Sequence, residues 1–297
     1  MLHELGSRSN GGWLEKEYHY MSWALSCLLL RRYYEVELVT DAAGKELLID
    51  LLELPYASVS VALNQLDGYH HDLWALGKIY TYSIQHEPFI HVDGDFYLRG
   101  RLGEPALRAA LLTQTKIPID NAGFYYFLNY LKNNTRQHTR IFPALGSGNS
   151  FEGLYNPGVI GGNDARFLSQ YAGAVLQYVH ENADLLSKSL EFVLRDSTIN
   201  PHVTNPLDLL NAILEQYTFA RMAQQAGIRV TCLHEEKGST KFLNASFFNC
   251  NQSPLYVHPV HHFKKDLNVC RQVAFKLRQS FPEYYYKIKH LVKTFQI

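Results

Sequence analysis

The run Phe89-Ile90-His91-Val92-Asp93-Gly94-Asp95-Phe96-Tyr97-Leu98 decides how this chain is read. Phe89–Val92 has the aromatic and β-branched character of a strand, and Phe96–Leu98 is apolar again. Between them stand two carboxylates separated by one glycine. In an extended segment residues i and i+2 point the same way, so Asp93 and Asp95 are expected to converge on one point. Two bare carboxylates that close raise each other's pKa unless a cation shares them. Hard oxygen donors suit Mg²⁺ or Mn²⁺, which would bridge to the phosphate oxygens of a substrate. Gly94 is expected to let the backbone turn and come close to a ligand. Asp-Gly-Asp is also a common turn composition; the apolar residues on both sides set this pair apart from a plain exposed turn.

Outward from this segment, helix and short strand alternate. Tyr18, Met21, Leu25, Leu28 and Leu29 recur at helical spacing within Trp13–Tyr34. A strand is expected at Val36–Thr40, a helix at Gly44–Leu52, a strand at Val59–Leu63 and a helix at Asp72–Gln85. That order predicts βαβ units and a mostly parallel sheet, with ligands beyond the carboxyl ends of the strands. Downstream, helices are expected at Ile119–Lys132, Ala165–His180 and Pro206–Ala226, with Leu267–Arg278 as the closing helix. Strands are expected at Pro157–Gly161, Ile228–Leu233 and Leu255–Val260, and a Gly- and Ser-rich loop at Gly146–Gly153. The expected fold is α/β: a flexible arm over residues 1–12, then one domain over 13–297 with an irregular second half beginning near residue 101.

Composition narrows the function classes. The 297 residues carry 28 Lys+Arg against 28 Asp+Glu, with 46% hydrophobic residues and 20 Tyr. So many aromatics at zero net charge exclude a disordered chain, and the missing basic excess argues against nucleic acid as the main partner. Neutrality is a cancellation, however, because residues 264–297 alone hold eight Lys and Arg against two Asp and Glu. Cys27, Cys232, Cys250 and Cys270 form no CxxC pair, so no zinc-site spacing is present and a reducing compartment is expected. The apolar run Met21–Leu30 is about half the length a bilayer-spanning helix needs. No membrane span is expected, and the setting is read as cytoplasmic. Asn133, Asn244 and Asn251 head glycosylation-acceptor patterns, which matter only in a secreted protein.

The Phe89–Leu98 segment resembles the DxD segment of GT-A-fold, nucleotide-sugar-dependent glycosyltransferases. Ser22-Trp23-Ala24-Leu25-Ser26-Cys27 and Val36-Glu37-Leu38-Val39-Thr40-Asp41 look like the first helix and next strand of bacterial proteins of that type. Asn156-Pro157-Gly158-Val159-Ile160-Gly161-Gly162 is similar to the Asn-x-Gly-Val segment of glycogenin-like enzymes, and His258 with Lys264 to their late His…Lys pattern. The resemblance covers about residues 13–290 and implies a GT-A-like, Rossmann-type fold. It departs from this chain in two places: no convincing strand precedes the first helix, and His261 stands where a glycine is expected.

The resemblance implies a metal, Mn²⁺ or Mg²⁺, on Asp93, Asp95 and His258, with Lys264 on the diphosphate. It implies a nucleotide-sugar donor, UDP favoured over GDP, and a glycan, lipid or small-molecule acceptor. Asp41, at a strand end, is assigned either to the nucleotide or to the cap of the next helix. Asn156, Gly158 and Asp164 are assigned to the acceptor or sugar, or else to a tight turn. Glu215 is the candidate base for the acceptor hydroxyl. The alternative is a carbohydrate- or nucleotide-binding protein that kept the fold and lost the chemistry. A haloacid-dehalogenase-type phosphatase fits poorly, because Tyr97 stands where Thr or Val is wanted.

Overall fold

The computed structural model describes residues 10–70, 73–118, 122–136, 141, 153–186, 188, 206–234, 255–259, 261–294 and 296–297. The expected arm falls mostly outside these, as do nearly all of the Gly- and Ser-rich loop and the patterns headed by Asn244 and Asn251. Among the described residues no helix is long and apolar enough to cross a membrane.

In chain order the first elements are α1 (Lys16–Leu30), β1 (Glu37–Val39), α2 (Ala42–Lys45, running into a π-helical turn, Glu46–Leu51) and β2 (Ser58–Ser60). Next come α3 (Ala75–Ser83), β3 (Phe89–Val92), β4 (Tyr97–Leu98), α4 (Glu104–Leu107), β5 (Leu111–Ile117), α5 (Ala122–Asn134) and β6 (Leu154–Gly162). Then follow α6 (Ala165–Glu181), α7 (Pro206–Ala212), a π-helical turn (Ile213–Tyr217), α8 (Thr218–Gln225) and β7 (Val230–Cys232). The chain closes with β8 (Tyr256–Val257), a 3₁₀ turn (His261–Lys265), α9 (Leu267–Ser280) and α10 (Pro282–Lys293).

These elements build two compact units from interleaved segments. One comprises Met1–Gln65, Val92–Gly103 and Lys237–Ile297; the other comprises Leu66–His91 and Glu104–Glu236. The chain passes between the units after Gln65, His91, Gly103 and Glu236.

In the first unit α1 buries Met21, Ala24, Leu25, Cys27, Leu28 and Leu29 against Leu38, Leu48, Leu52, Val273, Leu277 and Ile288. A helix this apolar on most of its circumference holds only when packed nearly all round. β1 and β2 pair in parallel, joined by the crossover through α2 that parallel strands require. β4 and β8 pair antiparallel, Tyr97 opposite Val257. The second unit holds a four-stranded sheet in the order β3-β6-β5-β7. Its core joins Leu76, Ile79 and Tyr82 of α3 to Phe127 and Leu131 of α5 and Tyr171, Val175 and Tyr178 of α6.

The fold is α/β, but the sheets are mixed, which corrects the expected mostly parallel sheet. β5 runs antiparallel to β6 and parallel to β7, and β1–β2 is a separate two-stranded sheet. The parallel expectation rested on helix–strand alternation before residue 100, whereas β5, β6 and β7 all lie beyond it. β5 escapes a pattern reading because Thr113, Gln114 and Thr115 are buried along with Leu111 and Leu112. The Tyr-rich C-terminus adds α10 after the helix expected to close the chain.

Candidate metal centre

Asp93, Gly94 and Asp95 form a turn between β3 and β4, closed by the Phe96 N–H donating to the Asp93 carbonyl at 3.0 Å. The two carboxylates are thus brought together by a turn, and not by the side-to-side alternation of an extended strand. The antiparallel β4–β8 register places His258, one residue past Val257, opposite Phe96, and the two rings sit edge-on with centroids 6.2 Å apart. His258 Nε2 lies 3.2 Å from Asp95 Oδ1 and 3.8 Å from Asp93 Oδ2. Lys264, on the 3₁₀ turn ahead of α9, puts Nζ 2.5 Å from Asp95 Oδ2.

The ligating atoms of Asp93, Asp95 and His258 all lie within 4.8 Å of one another. Asp95 is 5% exposed and His258 6%, while Asp93 is more open. Burial by itself raises the Asp95 pKa, but the charges of Lys264 and His258 outweigh it and hold the carboxyl at about 2. Asp95 is therefore ionised at neutral pH in a nearly dry setting.

Helix α1 holds this turn from behind. Ser22 Oγ donates to the Gly94 carbonyl at 3.1 Å and Ser26 Oγ to the Phe96 carbonyl at 2.8 Å. The buried Tyr97 hydroxyl donates to Ser22 Oγ at 2.9 Å. Trp23 lies against Gly94, and its indole N–H donates to His19 Nε2 at 2.9 Å. A Cβ on Gly94 would stand 2.5–2.8 Å from the Trp23 ring. Gly94 does not have the positive φ that only glycine adopts freely, so what demands glycine here is the indole, where the sequence suggested a turn or a ligand. These holding residues were not picked out from the sequence. The signal was there: serines at i and i+4 in the otherwise apolar run Met21–Leu30 mark one polar stripe on a buried helix.

The other candidates sit elsewhere. Asp41 caps α2, accepting from the Gly44 N–H at 2.6 Å. Asn156 accepts from the Gly158 N–H at 2.8 Å within β6, and Gly158 is buried there. A Cβ on Gly161 would overlap the Phe89 carbonyl of β3, so at Gly161 the small residue lets β6 pack against β3. Asp164 caps α6, accepting from the Phe167 N–H at 2.9 Å. Glu215 lies in the second unit, 1% exposed, with Oε1 2.7 Å from Lys78 Nζ. The structure brings together Asp93, Asp95, His258 and Lys264 in the first unit; Asp41 belongs to the same unit as the cap of α2, and Asn156, Gly158, Asp164 and Glu215 belong to the second unit.

Fold and site together define an α/β protein with a buried cluster of two carboxylates, an imidazole and an ammonium. The chain belongs to the DUF6734 family, a family of unknown function whose pattern matches residues 3–291. No curated protein and no solved structure matches it.

Proposed function

We propose that this protein is a metal-dependent glycosyltransferase of GT-A-like architecture. It moves a sugar from a nucleoside diphosphate donor, UDP favoured over GDP, to a hydroxyl of a glycan, lipid or small molecule. One observation carries the reading: Asp93, Asp95, His258 and Lys264, drawn from segments more than 150 residues apart, meet in one cluster. That is the set the glycosyltransferase resemblance requires. The donors fit the ion, since two carboxylates and an imidazole within 4.8 Å suit Mn²⁺ or Mg²⁺.

Asp93, Asp95 and His258 would hold the ion, which supplies charge neutralisation for a departing diphosphate. Lys264 adds a positive charge 2.5 Å from Asp95. Ser22 and Ser26 fix the backbone on either side of Asp95, so the carboxylate needs little reorganisation when a ligand arrives. Glu215, paired with Lys78, is given no step. A cytoplasmic setting goes with this reading, in keeping with four scattered cysteines.

The Lys264–Asp95 ion pair favours a second reading, because it satisfies the buried carboxylate without an ion. The protein would then bind a nucleotide or carbohydrate and transfer nothing. Thermal shift with UDP, GDP and their sugars, with and without Mn²⁺, separates the cases. A transferase shows Mn²⁺-dependent stabilisation by one nucleotide and releases its diphosphate from the cognate sugar nucleotide, and Asp95→Ala abolishes both. Stabilisation without release selects the second reading. If no nucleotide shifts the midpoint under either condition the transferase reading fails, and if free mono- and oligosaccharides do not shift it either, both readings fail.

A further inference from the structure

The exposed face of the two C-terminal helices carries a pattern that the metal centre does not use. Along α9, Leu267, Arg271, Phe275 and Arg278 follow one another at spacings of four, four and three, and all are exposed. They form one stripe, about 16 Å long at the helical rise per residue. The opposite stripe, Val269, Cys270, Val273 and Leu277, is buried in the first unit's core. On α10, Ile288 and Leu291 turn inward while Tyr286 and Lys293 are exposed. Phe275 at 58% and Tyr286 at 55% are the most exposed large apolar side chains among the described residues. Arg278 joins the two helices, its guanidinium 5.9 Å from the Tyr285 and Tyr286 ring centres.

We infer that this face docks the protein on an anionic lipid bilayer. Residues 264–297 carry eight Lys and Arg against two acids; Lys264, Lys287 and Lys289 pair with Asp95, Glu53 and Glu17, while Arg271, Arg278 and Lys293 are exposed cations of α9 and α10. Of the two acids, Asp266 is engaged as the cap of α9, and Glu283 lies in the first turn of α10. Cations interleaved with aromatic and aliphatic side chains on an amphipathic helix match both layers of a membrane interface. The charges meet headgroup phosphates, and Phe275, Leu267 and Tyr286 enter the boundary beneath them. A second copy of the same face would be repelled by like charge. RNA would use the cations and the rings but gains nothing from an exposed Leu267. The bilayer is thus the surface whose chemistry uses every member of the stripe.

Co-sedimentation of the full chain with phosphatidylcholine vesicles, with and without phosphatidylserine, tests this. Binding is expected to be about tenfold or more stronger on the anionic vesicles and to fall as salt rises. Arg271→Glu with Arg278→Glu removes the preference for phosphatidylserine. Phe275→Ser with Tyr286→Ser lowers binding about tenfold while leaving that preference in place. Arg108→Glu, an exposed change in the second unit, alters neither. All variants change exposed side chains, and an unshifted thermal midpoint confirms that they fold. Binding persists in EDTA, which keeps this result separate from the fate of the metal centre. The inference is overturned by equal binding to both vesicle types, by no binding, or by binding that the paired variants leave unchanged. Capture of single-stranded RNA in place of vesicles overturns it as well.

Discussion

Asp95 keeps its charge in a nearly dry setting because Lys264 and His258 stand 2.5 and 3.2 Å from its two oxygens. Asp95→Ala leaves both partners facing an uncompensated hole and is expected to cost about 3 kcal/mol in urea unfolding. Asp95→Asn keeps the shape and loses the charge, so it should cost less yet remove the Mn²⁺-induced rise in thermal midpoint just as fully. Gly94→Ala drives a methyl into the Trp23 ring. It is expected to destabilise by roughly 1–3 kcal/mol and weaken Mn²⁺ binding. Adding Trp23→Ala should recover part of both losses, a coupling that a double-mutant cycle measures. Cys27 gives the pH prediction. Burial raises its thiol from 9.0 to about 12. The unfolded chain therefore releases that proton first as pH rises, and the stability carried by the neutral thiol is complete below pH 9 and drains away toward pH 12. Tyr178, raised by burial from 10.0 to about 12, adds to the same slope. Urea unfolding between neutral and alkaline pH should show stability falling with pH, and less steeply in Cys27→Ala.

At the scale of elements, α1 is both a core helix and the backing of the acidic turn. Ser26→Ala would leave the buried Phe96 carbonyl without its donor, at a cost of about 1–3 kcal/mol in unfolding. It should also lower Mn²⁺ affinity in calorimetry, although Ser26 contributes no ligand atom to the cluster. A change confined to stability would show that the turn holds its shape unaided. The helices were legible because apolar residues recur at their own period, and Asp41, one of whose two readings was the helix cap, does cap α2. Most strands were legible in place, β5 excepted, but none in partnership. The small residues of Gly158–Gly162, expected to admit a sugar or to form a tight turn, lie in strand β6 and are buried there, and Gly161 lets β6 pass against β3. Gly161→Ala is accordingly expected to cost about 3 kcal/mol in urea unfolding. An alanine tolerated without loss would mean the strands separate more easily than their packing indicates.

For the whole molecule, the interleaved units localise what a ligand can do. Every member of the acidic cluster, and the α1 residues behind it, belongs to the first unit. Mn²⁺ at a hundred times its dissociation constant should add about 2.7 kcal/mol to the stability of whatever unfolds with the site. Hydrogen exchange should slow in α1, at residues 92–98 and around Val257 and Lys264, with the sheet β3-β6-β5-β7 much less affected. Uniform slowing across both units would mean that they unfold together, and no slowing at residues 92–98 would count against metal binding there.

The sequence by itself determined the α/β class, the positions of most helices and strands, and the Asp93–Asp95 pair with its apolar surroundings. Such features are written in contacts a few residues long: helical and alternating periods, caps, turn residues and local charge. Only the tertiary structure decided which strands pair and in which direction, that α1 serves the turn, and that the chain is shared between two interleaved units. Strand pairing has no local code, because any strand can meet any edge and the choice falls to burial and to backbone clearances such as that at Gly161. The same holds for the site. The resemblance grouped His258 and Lys264 with the acidic pair, but their meeting with Asp95 depends on the β4–β8 register and the 3₁₀ turn before α9, a distance in sequence that no local pattern spans.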